Sequence, residues 1–285
     1  MDEVLQYGDI LIFKAEEKWV SKAIAMLTDS DVSHAAMYYG EREMVEMGLS
    51  GIMVSKLAIG RGEEAYQLRL APPLDAGPLI EAARRYVKEK TIYDLPALVL
   101  LGALLVYRHI RPSARLFHIV DDILNAAVEL LDELLGRLLH GGEPGMVCSQ
   151  LVYQVYQDCG GQYSLQIEKG ILQSASGMGV RLLDLRNKSV RKSRPLRQVT
   201  LPMDEELLAQ ELCIALASAQ GEQTPSNLAD AGYLAPVVCA FTESLEKVAE
   251  TAKIPLDALF VTPADLAYHT RNLDNVGEVS VERLG

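Results

Sequence analysis

Short blocks of apolar residues, broken by turn residues, fill the first seventy positions, and helical spacing takes over beyond them. Residues 10–13 form an apolar run behind the turn pair Gly8-Asp9 and predict a buried strand. Over 16–27, Trp19, Val20, Ala23, Ile24 and Leu27 fall on one face of a predicted helix, closed by the polar run 28–31. Residues 32–39 predict a second strand, 40–43 a turn, and 44–47 a strand returning beside it. Tyr66, Leu68 and Leu70 alternate with polar residues and predict a strand over 65–70. A helix is predicted over 79–88, with Ile80, Ala83 and Val87 inward and Arg84, Arg85 and Lys88 outward.

The second half is mostly helical in pattern. An apolar run covers 95–107, and 121–140 is amphipathic, with Leu124, Ala127, Leu131, Leu134 and Leu138 along one side. After Pro144-Gly145, Val147, Leu151, Val152, Val155 and Tyr156 recur at helical spacing, so a helix is predicted to open close to Cys148. Helices are predicted over 205–219 and 237–252, with loop composition at 221–225. The last predicted elements are a strand at 259–262 and a short helix opened by Pro263.

Composition narrows the class. The chain has 285 residues, 49% hydrophobic and 23% charged, which is globular and ample for a core. Its net charge of −12 argues against nucleic-acid binding by the whole surface. A local basic island occupies 186–197 and reads as a solvated loop or as a dock for an anionic partner. The four cysteines form no C-x-x-C pair, so a zinc site has no support and reduced thiols of a cytoplasmic protein are expected. The acidic N-terminus lacks the apolar region of a signal peptide. The 13-residue apolar run would span about 20 Å as a helix, short of the ~30 Å hydrocarbon core, so no transmembrane helix is expected.

Cys148 carries the candidate chemistry. A thiol at a helix start feels the positive end of the helix dipole and the unpaired N–H groups of the first turn, both of which favour thiolate. A buried structural cysteine is the competing reading. A thiol nucleophile needs a base, and the base needs a third group to hold its tautomer. Of five histidines, His34 lies where a loop meets an apolar strand, a position from which scaffolds present functional side chains; a half-buried structural histidine is the alternative. Glu46 lies 12 residues on, across the predicted hairpin. A simple two-residue turn would pair Tyr39 with Met44 and put Glu46 on the face opposite His34; a one-residue shift brings them to the same face.

Gly8-Asp9-Ile-Leu, Ser33-His34-Ala-Ala-Met, Val45-Glu46, Cys148-Ser149-Gln150-Leu-Val and the closing Phe260-Val-Thr-Pro-Ala-Asp265, in this order, resemble the circularly permuted NlpC-type cysteine hydrolases. This is a papain-like superfamily related to the lecithin:retinol acyltransferase-like proteins. In the permuted branch the His strand precedes the Cys helix, as here. The resemblance covers 8–70, 76–95, 143–165 and 255–268. It implies an α+β fold with a small antiparallel sheet on the Cys-bearing helix, in one domain over 1–285. Two helical insertions, 95–142 and 185–255, would interrupt it before the closing strand. It makes Cys148 the nucleophile, His34 the base and Glu46 the orienting group, with no metal or organic cofactor. The backbone N–H of Cys148 is the expected oxyanion donor. Tyr7 and Asp9, near the expected cleft in sequence, are candidate substrate contacts, as are Ser149 and the pair Tyr93-Asp94, whose other reading is the opening of a helix.

The expected reaction is acyl transfer through a thioester, on a small peptide, an amide or a lipid acyl ester. A lipid-directed acyltransferase, thioesterase or phospholipase-like enzyme is the alternative. The apolar run beside Arg108, His109, Arg111 and Arg115 fits a helical pair packed on the domain's own core, with a peripheral membrane contact through 95–115 as the other reading. A non-catalytic module that keeps the fold is the third reading.

Overall fold

The computed structural model describes residues 5–48, 50–91, 145–168, 170 and 261–284, with isolated positions between 125 and 139 and between 240 and 251. The architecture is α+β, built on one antiparallel sheet of β1 (Ile10–Lys14), β2 (Val32–Gly40), β3 (Glu43–Gly48), β4 (Gly51–Leu70) and β5 (Leu273–Leu284), in that spatial order. β4 makes the sheet curl. Its first part pairs with β3, while residues 65–68 pair with β1, so the sheet turns back on itself.

The curl is centred on Gly60-Arg61-Gly62. Both glycines have φ +97, and the three residues loop out of the β5 ladder, since Ile59 and Glu63 share Val281 as partner. A Cβ on Gly62 would lie 2.4 Å from the Val281 carbonyl oxygen, a backbone atom that cannot swing away. Gly62→Ala is therefore expected to destabilise the protein by about 1–3 kcal/mol, read as a lower midpoint in chemical denaturation. The sequence predicts only 65–70 of this strand. The half-exposed Met53, Val54 and Ile59 and the charged Lys56, Arg61, Glu63 and Glu64 hide the alternation farther upstream.

Side chains alternate across a strand, so one face of the curled sheet collects Leu11, Phe13, Ala36, Tyr38, Met44, Leu57, Ala65, Val279 and Val281 in a buried cluster with Leu5. The other face is buried too, through Ile10, Ile12, Ala35, Met37, Val45 and Met47. A helix, Cys148–Cys159, packs on β2 and β3.

α1 (Trp19–Leu27) opens later than predicted, because the Glu16 N–H donates to Ser21 Oγ ahead of it at 2.8 Å. The side chains of Trp19, Val20, Ala23 and Leu27 are outside the described residues. α2 (Gly77–Glu89) buries Ala83 as predicted, but with Leu79, Ala82 and Tyr86 in place of the predicted Ile80 and Val87, which are only partly covered. The face rotates because Tyr86 goes inward and its hydroxyl donates to Asp158 Oδ2 at 2.6 Å, tying α2 to α3 (Cys148–Cys159). α4 (Pro263–Tyr268) opens with proline in its first turn, as predicted. The strand predicted at 259–262 does not form over its described residues, Val261 and Thr262. Thr262 is instead the N-cap of α4: its Oγ1 accepts the Asp265 N–H at 3.0 Å, and its own N–H donates to Asp265 Oδ2 at 3.0 Å. The strand that ends the sheet is β5, which the sequence reading does not predict although Val279 and Val281 alternate there with Glu278, Ser280 and Glu282.

The chain divides into two compact units. One comprises Met1–Leu95, Gly145–Gln173 and Phe260–Gly285 and holds the sheet; the other comprises Pro96–Pro144 and Ser174–Leu259, close to the stretches read as insertions. In the second unit the described positions of 125–139 and 240–251 are helical, with Val128, Leu131 and Val248 buried and Ser244 Oγ donating to Asp132 Oδ1 at 3.0 Å. The apolar run, Tyr93, Asp94, the basic island and the helix predicted over 205–219 lie outside the described residues. Among the described residues, no helix is long and apolar enough to cross a membrane.

Candidate active site

Cys148 is the first residue of α3. Val147 is extended (φ −90, ψ 167) and its carbonyl takes the first helical hydrogen bond from the Leu151 N–H at 3.0 Å, while no side chain caps the first turn. The N–H groups of that turn have no intrahelical acceptor. The N–H groups of Ser149 and of Ala35 in β2 favour the charged form of the Cys148 sulfur. The Ser149 hydroxyl is buried and donates to the Val261 carbonyl oxygen at 2.6 Å, fixing the start of α3 to the segment that leads into α4. Ser149 thus anchors the thiol's helix through its side chain.

His34 reaches the same place from β2. It is the cross-strand partner of Phe13, with ring centroids 5.7 Å apart, and its side chain is about a quarter exposed (24%). Its Nε2 lies 2.8 Å from Glu46 Oε2. A bulge makes this contact possible. Glu41 and Arg42, at φ +51 and +59, form a two-residue turn between the partners Gly40 and Glu43. Continued without interruption, that register would pair Tyr39 with Met44. Instead Tyr38 pairs with Met44 and Ala36 with Glu46, leaving Tyr39 bulged out of the ladder. The one-residue shift turns Glu46 to the face of His34.

Glu46 is buried, its side chain only 3% exposed, and both oxygens are engaged. Oε1 accepts from Ser55 Oγ at 2.7 Å and from Arg283 Nε at 3.1 Å; Oε2 accepts from Arg283 Nη2 at 3.1 Å besides facing His34. Burial alone would raise the carboxyl's pKa, but the donors of His34 and Arg283 hold it down at about 2. Glu46 is a carboxylate at every ordinary pH.

The thiol and imidazole titrate against each other. Burial opposes charge on both, and their mutual attraction overcomes it. The His34 imidazole, beside Cys148 and Glu46, is pushed up to about 10. The Cys148 thiol is pulled below its ordinary value by the imidazolium and by the Ala35 and Ser149 N–H groups. With Nε2 on Glu46, Nδ1 is the nitrogen that remains for the thiol. The favoured state is a thiolate–imidazolium pair held by a fixed carboxylate, an arrangement suited to nucleophilic attack on an acyl carbon.

Two other sequence candidates lie elsewhere. The Tyr156 hydroxyl donates to the Gly8 carbonyl oxygen, eight residues along α3 from Cys148 and so about 12 Å away. Asp9, beside it, is buried in a structural ion pair: Oδ1 accepts from Arg69 Nε at 2.7 Å, and Oδ2 from Arg69 Nη2 at 2.8 Å and Gln67 Nε2 at 2.6 Å. Tyr7 is half exposed, its ring edge-on to Tyr38 and lying over Gly40. Tyr93 and Asp94 are outside the described residues.

Sequence reasoning misses Ser55 and Arg283. A carboxylate expected on a buried hairpin face needs a cation, and the alternating stretch that ends in Arg283 is the signal that would have supplied one. Comparison with family models, with curated proteins and with solved structures gave no match.

Proposed function

We propose that the protein is a cysteine hydrolase that cleaves an acyl bond (amide, peptide or ester) through an acyl-enzyme on Cys148. The reading carries with it the permuted NlpC-type, papain-like arrangement, in which the His strand precedes the Cys helix. The observation behind it is the chain of contacts from the Cys148 thiol at the start of α3, to His34, to Glu46 Oε2 at 2.8 Å from His34 Nε2.

The steps follow from the charges. The Cys148 thiolate attacks the acyl carbon, and the carbonyl electrons move to oxygen, where the backbone N–H of Cys148 is the candidate donor. As the intermediate collapses, the bond to the amine or alcohol breaks and the His34 imidazolium gives its proton to the leaving group. A thioester and a neutral imidazole remain. His34 then takes a proton from water, the hydroxide adds to the thioester, and the acid leaves as the thiolate–imidazolium pair is restored. A second amine or alcohol in place of water makes the same steps an acyl transfer. Throughout, Glu46 keeps the imidazole oriented and stabilises its charged form.

A panel of acyl amides and acyl esters tests the reading, with intact-mass spectrometry as the readout. The expected result is an adduct of acyl mass on Cys148 for at least one ester or amide, with release of the amine or alcohol, and neither in Cys148→Ala. Turnover that persists in Cys148→Ala would sink the proposal.

A further inference from the structure

We propose that Arg283 is a positioning residue of this site, acting through Glu46 to keep His34 charged and correctly aimed at Cys148. The inference rests on the hydrolase reading above and extends it to β5, a strand 237 residues from Glu46 in sequence.

The geometry is that of a fork between two carboxylates. Arg283 directs Nε and Nη2 to Glu46 and Nη1 to Glu63 of β4. Its guanidinium lies 4.7 Å from the centre of the Phe13 ring, and that ring packs in turn on His34. Arg283, Phe13 and His34 therefore lie in one contiguous row, the two rings tilted at 41°, and Glu46 bridges its two cationic ends. Register places Arg283 here: Val279, Val281 and Arg283 alternate onto the inner face of the sheet, with Arg283 opposite Leu57. A one-residue slip of β5 would turn the guanidinium out to solvent. The loop-out at residues 60–62 sets the register that prevents it.

The chemistry explains why a second cation belongs there. A buried carboxylate needs a compensating charge, and His34 is an unreliable one because it loses its proton in every turnover. Arginine is charged at all working pH values. It keeps Glu46 ionised at the moment when the imidazole is neutral, so Glu46 is ready to stabilise the imidazolium when it re-forms. Among the described residues, the other charged groups around the fork are Glu63, which Arg283 also binds, and the ion pair of Glu16 with Lys18 at 2.8 Å ahead of α1.

Alkylation of Cys148 by iodoacetamide as a function of pH tests the assignment without a substrate, in wild type, Arg283→Gln, Arg283→Lys, Glu46→Gln and the Arg283→Gln/Glu46→Gln double variant. Arg283→Gln is expected to slow alkylation by about tenfold on the acid limb of the profile, where a shift of about one pKa unit is read in full. It is also expected to move the acid limb of the profile to higher pH, because Glu46 then takes up a proton nearer the ordinary carboxylate range. Arg283→Lys, which keeps the charge and loses the fork, restores part of the rate. The double variant matches Glu46→Gln, because Arg283 acts through that carboxylate. A wild-type profile in Arg283→Gln overturns the proposal, and so does a double variant slowed by the product of the two single losses. If Arg283→Gln does not fold by circular dichroism, Arg283→Lys decides: an intermediate rate supports the role and a wild-type profile overturns it. An unreactive Cys148 in the wild type refutes the hydrolase reading itself. A reactive wild type with an indifferent Arg283 refutes only the inference drawn from β5.

Discussion

Replacing His34 with alanine lowers the rate of Cys148 alkylation at pH 7 by about a hundredfold. The imidazolium, first among the attractive influences on the thiol, is what offsets the cost of burying a thiolate, and burial alone pushes a thiol's pKa up. A hundredfold loss of thiolate at pH 7 corresponds to a variant thiol that ionises about two pH units above that point. The sign is fixed by the direction of the two shifts. In the wild type the thiolate forms above a depressed thiol pKa, so the alkylation rate rises early and reaches a plateau. In His34→Ala the rise moves to higher pH and the plateau returns in alkaline solution. Turnover behaves differently from alkylation because it also needs the proton on His34: kcat/KM rises through the thiol's value and falls as pH passes the imidazole's, at about 10. His34→Gln serves as the isosteric control. Superimposed alkylation profiles for wild type and both variants would show that Cys148 is an ordinary buried cysteine.

Replacing Asp9 with alanine is expected to cost about 3–5 kcal/mol of stability, measured by denaturant unfolding, and to leave the Cys148 alkylation profile unchanged while the protein is folded. Asp9 is fully buried, and the variant takes the carboxylate away from the Arg69 guanidinium and from the Gln67 Nε2–H group that now donates to it. The site is unaffected because Asp9 stands beside Gly8, to which α3 is tied by Tyr156 rather than by Cys148. The figure belongs to the lower half of that range, since the Arg69 side chain is 22% exposed and water can take up part of its charge. A stable Asp9→Ala variant with altered Cys148 reactivity would instead place Asp9 in the site.

The same Gly8-Asp9 pair shows how a motif can be legible while its role is not. Its turn ahead of a buried strand follows from local residues. What the carboxylate does depends on Arg69 and Gln67, about sixty residues away, and these meet it only because β1 pairs with the far end of β4. The rotated face of α2 has the same origin, in a Tyr86 hydroxyl drawn to Asp158 on another helix. At 259–262 a run of apolar residues with β-branched members suggests a strand, yet Thr262 uses its side chain to cap α4, a local competition that composition alone does not decide.

By itself the sequence determined where β1, β2 and β3 run, that a helix opens at Cys148, and which thiol, imidazole and carboxylate are the candidates. Each of these is written within a few residues, in hydrophobic period, turn residues and helix breakers. Only the tertiary structure decided that the three meet. Whether Glu46 faces His34 hangs on a single bulged residue, Tyr39, and a bulge reflects the balance of a whole sheet closing on itself. The choice of Arg283 as counter-charge rests on pairing between strands more than two hundred residues apart. Such pairing is selected by burial across the entire core, so no short stretch of sequence records it.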